Sequence, residues 1–184
     1  TLAVMTEVTV KTLPRAETEQ TVLVFGLDDA AAGKLMTAVM GSFADASAAA
    51  HLPSSLAGRV AETASAGQAV SGFRLEGVAP SVKHRQALLE ELAKPHANVA
   101  VADQARSREF WRAIRDVVPF AADGPSGARD VWRISTAPAR GAELGRSLAE
   151  GADAEVLYDW AGGLIWAALP PSEDAKASLV RSLV

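Results

Sequence analysis

This chain has no cysteine, only three histidines and no apolar run long enough to span a bilayer. Without cysteine there is no disulfide, no thiolate metal site and no cysteine nucleophile, and the lack says little about compartment. The histidines (His51, His84, His96) are scattered along the chain, which argues against a histidine-built metal centre. No segment reaches the roughly 18 apolar residues of a membrane span, and no signal-peptide pattern is present. An excess of positive charge is missing as well: the net charge of −4 argues against nucleic acid, which needs a basic stripe. No glycine-rich phosphate loop, Gly-x-Ser-x-Gly elbow or cluster of metal ligands can be read.

What remains is an ordinary globular composition, 49% hydrophobic and 22% charged, over 184 residues, enough for one domain or two small ones with a real core. Three of the four tryptophans (Trp132, Trp160, Trp166) fall between residues 130 and 170. That stretch predicts strand, helix, strand, a tight turn at Gly162-Gly163 and a further strand.

In chain order, residues 1–14 alternate, with Thr6, Val8 and Val10 against Glu7, Thr9 and Lys11, and predict a half-buried strand ended by Pro14. A strand is expected over 20–27. Asp28 is the expected N-cap of a helix carrying Ala32, Leu35, Met36, Val39 and Met40, with Gly41 at its stop. A weak strand follows over 43–50, a loop over 52–67 and a strand over 68–77. A helix opens at Pro80-Ser81 and a short strand covers 98–102. This β-α-β-β-α-β order is that of a ferredoxin-like unit.

A helix over 106–118 carries Phe110, Ile114, Val117 and Val118 on one stripe. The order then repeats, with strands over 131–135, 155–160 and 164–169, a helix from Pro138 and a last helix opened by Pro171-Ser172. Gly72-Phe-Arg-Leu-Glu with Pro80-Ser81 corresponds to Gly163-Leu-Ile-Trp-Ala with Pro171-Ser172. The predicted class is α+β: two tandem ferredoxin-like units sharing an antiparallel sheet with helices on one face, the second unit truncated. A start at Thr1 without methionine and an end at Val184 inside a helix suggest a fragment of a larger protein.

Alternation also sorts the candidate site residues. Phe73 and Leu75 should meet the helices, leaving Arg74 and Glu76 on the opposite face; Trp132 and Ile134 likewise leave Arg133 and Ser135 there. Arginine holds a carboxylate through two parallel charge-assisted bonds, so Arg74 and Arg133 could anchor a small carboxylate. Alternatively they pair with Glu76 and Asp159 as a solvated surface. Arg108, Arg112 and Arg115 form a basic helical stripe, an anion site or a solvated face in which Arg112 pairs with Asp116. His51 reads as a general base, for which no acid partner is visible nearby in sequence, or as a structural histidine at a strand end, the reading preferred. Trp160 and Trp166 either line a pocket or pack in the core.

Several stretches together resemble a known family. They are Val4-Met-Thr-Glu-Val-Thr-Val-Lys-Thr-Leu-Pro-Arg, Ala49-Ala-His-Leu-Pro, Arg74-Leu-Glu-Gly-Val-Ala-Pro-Ser-Val, Phe110-Trp-Arg-Ala-Ile-Arg-Asp-Val, Trp132-Arg-Ile-Ser and Tyr158-Asp-Trp-Ala-Gly-Gly-Leu-Ile-Trp. In this order they span nearly the whole chain and resemble the FAD-binding subunit of bacterial glycolate oxidase, a vanillyl-alcohol-oxidase-like flavoprotein. The resemblance implies that residues 1–14 end an FAD-binding domain, with Leu2 and Val4 as the cofactor-contacting positions. It makes 15–104 the first unit of a substrate-side cap, 105–129 a linking helix and loop, and 130–184 the second unit.

It further implies FAD in the full-length parent and none held by this fragment. The implied substrate is a small 2-hydroxy acid, glycolate above all, near Arg74, Arg133 and Ser135. Relatives carry an acidic residue where Arg133 stands, so no catalytic residue is carried over. The implied partners are the N-terminal FAD domain, a second flavoprotein subunit and an iron–sulfur subunit, in the cytoplasm or peripherally on the membrane through those partners. Two other readings are a non-catalytic module that docks a partner subunit and a free-standing small-molecule sensor.

Overall fold

Local sequence starts the helices and alternation orients the strands. The computed structural model describes residues 6–12, 14–124 and 127–184. Strand β1 (Thr18–Phe25) leads into α1 (Asp29–Met40), which begins where Asp28 takes the Ala31 N–H on its carboxylate at 2.7 Å. Next come β2 (Ala48–Leu52), the short α2 (Ser54–Ala57), β3 (Val70–Gly77), α3 (Ala79–Ala93) and β4 (Asn98–Ala102). Helix α4 (Gln104–Arg115) is capped by Asp103, which accepts the Ala105 and Arg106 N–H groups at 3.0 Å. The remainder is β5 (Asp130–Ser135), α5 (Gly141–Ala152), β6 (Glu155–Asp159), β7 (Leu164–Leu169) and α6 (Ala177–Leu183).

All seven strands form one sheet, ordered β4-β1-β3-β2-β6-β7-β5, with every neighbouring pair antiparallel. The first four strands have the order of a ferredoxin-like unit, and β6-β7-β5 repeats three of its four positions. The α+β architecture is the one the element order predicts.

The sheet buries both faces. On one, Val22, Val24, Phe73, Leu75, Tyr158, Ile165 and Ile134 pack against Leu35 and Val39 of α1, Leu89 of α3, Leu148 of α5 and Val180 of α6. The alternation of β3 and β5 foretold which side chains these would be. On the other face, Leu23, Ala50, Leu52, Val70 and Leu157 meet Leu56 of α2, Phe110, Trp111 and Ile114 of α4, and Phe120. The linking helix thus covers the face expected to be free of helices. It can approach because β3 carries Gly72 beneath it: a Cβ there would lie 2.5 Å from Phe110 Cε1. Among the described residues no helix is long and apolar enough to cross a membrane.

Three expectations fail locally. Residues 6–12 join no strand and are exposed, because alternation makes a strand only where a neighbouring strand takes up its hydrogen bonds. Helix α6 begins at Ala177 rather than at Pro171-Ser172, since left-handed backbone at Ala175 (φ 52°) and Lys176 (φ 53°) interrupts the run. The weak strand expected over 43–50 starts only at Ala48, and Phe43 is fully in solvent.

A single pair, His51 opposite Tyr158, registers β2 against β6, where the two halves of the sheet meet. Buried His51 bonds Ser71 Oγ through Nδ1 at 2.9 Å and Asp29 Oδ1 through Nε2 at 3.3 Å. Tyr158 donates to the other Asp29 oxygen at 2.5 Å. Burial alone would raise the Asp29 carboxyl, but the His51 and Tyr158 bonds outweigh it and hold the group below its ordinary range. Burial first, and then Asp29, push the Tyr158 phenol well above its usual value, so it stays a donor at neutral pH. His51 is the structural histidine its place at a strand end predicted.

Candidate functional site: an arginine–tryptophan groove

Helix α4 covers only part of its face and leaves a groove of about 750 Å³ running toward β7 and β5. Its position follows from three local causes. Phe110 seats α4 on Gly72. The Trp111 indole N–H donates to Thr21 Oγ1 at 2.7 Å, and Thr21 bonds Ser107 Oγ at 2.8 Å, fixing the rotation of the helix over β1. Ser107 in turn donates to Glu19 at 2.9 Å.

Arg74 and Arg133 both line this groove. Arg74 Nη2 lies 2.6 Å from Glu76 Oε2, its Nε 3.4 Å from Ser47 Oγ, and its guanidinium 5.8 Å from the Trp111 ring centre. Burial would raise the Glu76 carboxyl, but bonds from Ser47 and Arg74 hold it below its ordinary value, so the pair is charged. For Arg74 the alternative of an ion pair with Glu76 is the arrangement found.

Arg133 differs. Among the described residues it makes no ion pair or hydrogen bond; it stacks 5.0 Å from the ring centre of Trp160 and 5.8 Å from that of Trp166. Asp159 shares its face without bridging to it and bonds the Trp160 N–H at 2.8 Å instead. Burial raises the Asp159 carboxyl above its usual range despite the opposing pull of that N–H and of Arg133. Ser135 lies on the same face of β5, opposite Leu164, but does not line the groove. Leu2 and Val4 lie outside the described residues.

The turn between β6 and β7 is not the tight two-residue hairpin read from Gly162-Gly163. Trp160 (φ 51°), Ala161 (φ 57°) and Gly162 (φ 93°) are all left-handed. For tryptophan and alanine this costs on the order of 1 kcal/mol or more each. The turn holds Trp160 out at 58% exposure over the groove, while Trp166 is half-buried in its floor. Both indoles therefore line the site.

The basic stripe of α4 is largely satisfied from within. Arg112 Nη1 meets Glu109 Oε2 at 2.6 Å rather than Asp116, which Arg115 takes at 2.7 Å; Arg108 lies 3.5 Å from Glu19. Sequence reading missed Trp111 and Glu19 as groove residues, because only the docking of α4 brings them there. Among the described residues no cluster of three or more His, Asp or Glu could hold a metal ion. Among the described residues no α-helix N-terminus lines the groove, the backbone feature that suits a diphosphate. The groove offers instead flat aromatic surface and a guanidinium stacked on it.

The fold and groove define a tandem ferredoxin-like sheet whose uncovered surface presents stacked arginine and tryptophan. The same fold occurs in p-cresol methylhydroxylase, solved with substrate bound, at 13% identity and a TM-score of 0.59 over 93% of this chain. It occurs again in 4-ethylphenol oxidase from Gulosibacter chungangensis, solved with isoeugenol, at 13% identity and a TM-score of 0.57 over 93% of this chain. At such identity the likeness is one of fold. The chain spans 43% and 44% of those two proteins. No protein-family model and no curated protein matches the sequence.

Proposed function

We propose that this chain is the substrate-side cap module of an FAD-dependent 2-hydroxy-acid oxidase or dehydrogenase, with glycolate oxidation as the parent activity. The observation that carries the reading is Arg133, a cation held on tryptophan rings in a groove with no carboxylate bridged to it among the described residues, on a fold shared with two oxidoreductases. The described lining residues, arginine stacked on tryptophan, suit the substrate side of a flavin. A bound flavin would supply the two-electron acceptor. This chain would orient the substrate: Arg133 takes the carboxylate in a bidentate grip, with Arg74 in the same groove and Ser135 farther along the face of β5, outside its lining. Trp160 and Trp166 exclude water from the held acid, which strengthens that grip.

In the flavoprotein carrying this chain, anaerobic glycolate should bleach the visible flavin absorbance. Arg133→Ala should raise KM more than about tenfold with kcat less affected. An unchanged KM would remove the anchor role, and a parent without flavin would remove the oxidoreductase reading.

A second reading is favoured by the internal ion pairs of the groove and by exposed Trp160. The face would instead dock a partner flavoprotein or iron–sulfur subunit, with no chemistry of its own. Under it, Arg133→Glu should abolish co-purification of subunits and leave flavin reduction intact.

A further inference from the structure

We infer that the groove, while admitting glycolate, favours a carboxylic acid bearing an aromatic ring, an aryl 2-hydroxy acid of the mandelate class. This deepens the proposed function and rests on that reading of the groove. Three observations converge on it.

Charge comes first. The six lining arginines are Arg15, Arg74, Arg108, Arg112, Arg115 and Arg133. Against them stand Glu19 and Asp159 in the lining, and Glu76, Glu109 and Asp116 as ion-pair partners. One net positive charge remains, which suits a monoanion and not a polyphosphate. Among the described residues, four of the arginines are engaged by carboxylates and two, exposed Arg15 and Arg133, are not; of these two only Arg133 is stacked on indoles. A guanidinium stacked on indoles presents its edge, and two parallel N–H donors at an edge match a carboxylate.

Size comes second. A cavity of about 750 Å³ lies in the range of sites for drug-sized ligands. Glycolate on Arg133 would leave most of it, and the exposed face of Trp160, in water.

Surface comes third. Trp111, Trp160 and Trp166 line the groove together with Leu164, Ile114 and Met40. Trp160 is held over it by left-handed backbone at two non-glycine residues; Ala161 packs into the core, whereas the Trp160 ring stands exposed. A planar ring beside Arg133 would cover that indole and stack on it.

The test uses the four indole Nε1–H signals of the 15N-labelled chain, assigned by single Trp→Phe variants. Trp132 is the internal control, because it sits on the opposite face with its N–H given to Ala175 O at 2.9 Å. Mandelate, glycolate and the uncharged benzyl alcohol are titrated in turn to about 10 mM. Mandelate should move the Trp160 and Trp166 signals, leave Trp132 in place and bind at least about tenfold more tightly than either other probe. Arg133→Met, still folded by circular dichroism, should lose the mandelate response, and Trp160→Leu should weaken mandelate by a larger factor than it weakens glycolate.

Glycolate binding as tightly as mandelate would overturn the aromatic class. Benzyl alcohol binding equally well, or an undiminished response in Arg133→Met, would overturn carboxylate recognition. No movement of Trp160 or Trp166 with any probe would overturn the site. A glycolate-bleached flavoprotein whose groove ignores mandelate would sink this inference alone. Mandelate binding in a protein without flavin would sink the proposed function alone.

Discussion

Replacing Tyr158 with phenylalanine removes one hydroxyl from the joint between the two halves of the sheet. That hydroxyl donates to Asp29 at 2.5 Å, and the residues after it, Asp159 and Trp160, line the groove. A hydrogen bond to a charged group contributes about 1.5–3 kcal/mol. The Asp29 side chain is 36% exposed and keeps its His51 bond, so water offsets part of the loss. The cost should therefore fall near the lower end, about 1.5 kcal/mol. For a domain of this size that is a fall in Tm of about 3–6 °C.

The pH dependence gives an independent check. Asp29 has a folded pKa below its unfolded value of 3.8, so its stabilising contribution is present above that pH. It is lost as pH falls through the folded value. The gap between wild type and Tyr158→Phe should be constant from pH 5 to 7 and shrink below about pH 4. Thermal melts followed by circular dichroism, with Asp29→Asn as the second arm of a double-mutant cycle, measure both effects. A gap below about 1 °C at neutral pH, or one undiminished at pH 3, would refute the coupling of Tyr158 to a charged Asp29.

Two further perturbations test the scaffold of the groove. Gly72→Ala places a methyl 2.5 Å from Phe110 Cε1, so the Phe110 ring or α4 itself must shift; unfolding in urea should show a loss of about 1–3 kcal/mol and a shift in Trp111 emission. Arg59→Met removes a two-point contact with Glu155 (2.5 and 3.0 Å) that ties the segment after α2 to β6. It should lower stability by about 1–3 kcal/mol, and an unchanged urea midpoint would show the contact to be dispensable.

The side chains on each strand face were legible from the sequence where one neighbour was unmistakably core. Phe73, Leu75 and Ile134 flank Arg74 and Arg133, and a period of two leaves each arginine no choice of face. The caps were legible for the same local reason, since Asp28 and its helix are adjacent in sequence. The proposed match of Gly72 with Gly163 was not reliable in register. It sets Phe73 against Leu164, yet Phe73 faces α1 and α3 while Leu164 lines the groove, and a slip of one residue flips every side chain. The fate of Trp160 was hidden too, because Gly-Gly after Trp-Ala gives no sign that the tryptophan itself would take left-handed backbone.

For β3, β5, α1 and α4 the sequence by itself determined the kind of element and which of its sides is apolar, because those depend on periods of two and 3.6 within one segment. Tertiary structure alone decided where the sides go. The stripe of Phe110 and Ile114 required a partner but did not say which sheet face would supply it, and Gly72, far away in the chain, made room on the second face. The same distance effect separated two arginines that look equivalent in sequence. Among the described residues the Arg74 side chain found Glu76 and Ser47, while that of Arg133 found two indoles, because ion pairing depends on side chains brought within a few ångströms by packing rather than on neighbours along a strand.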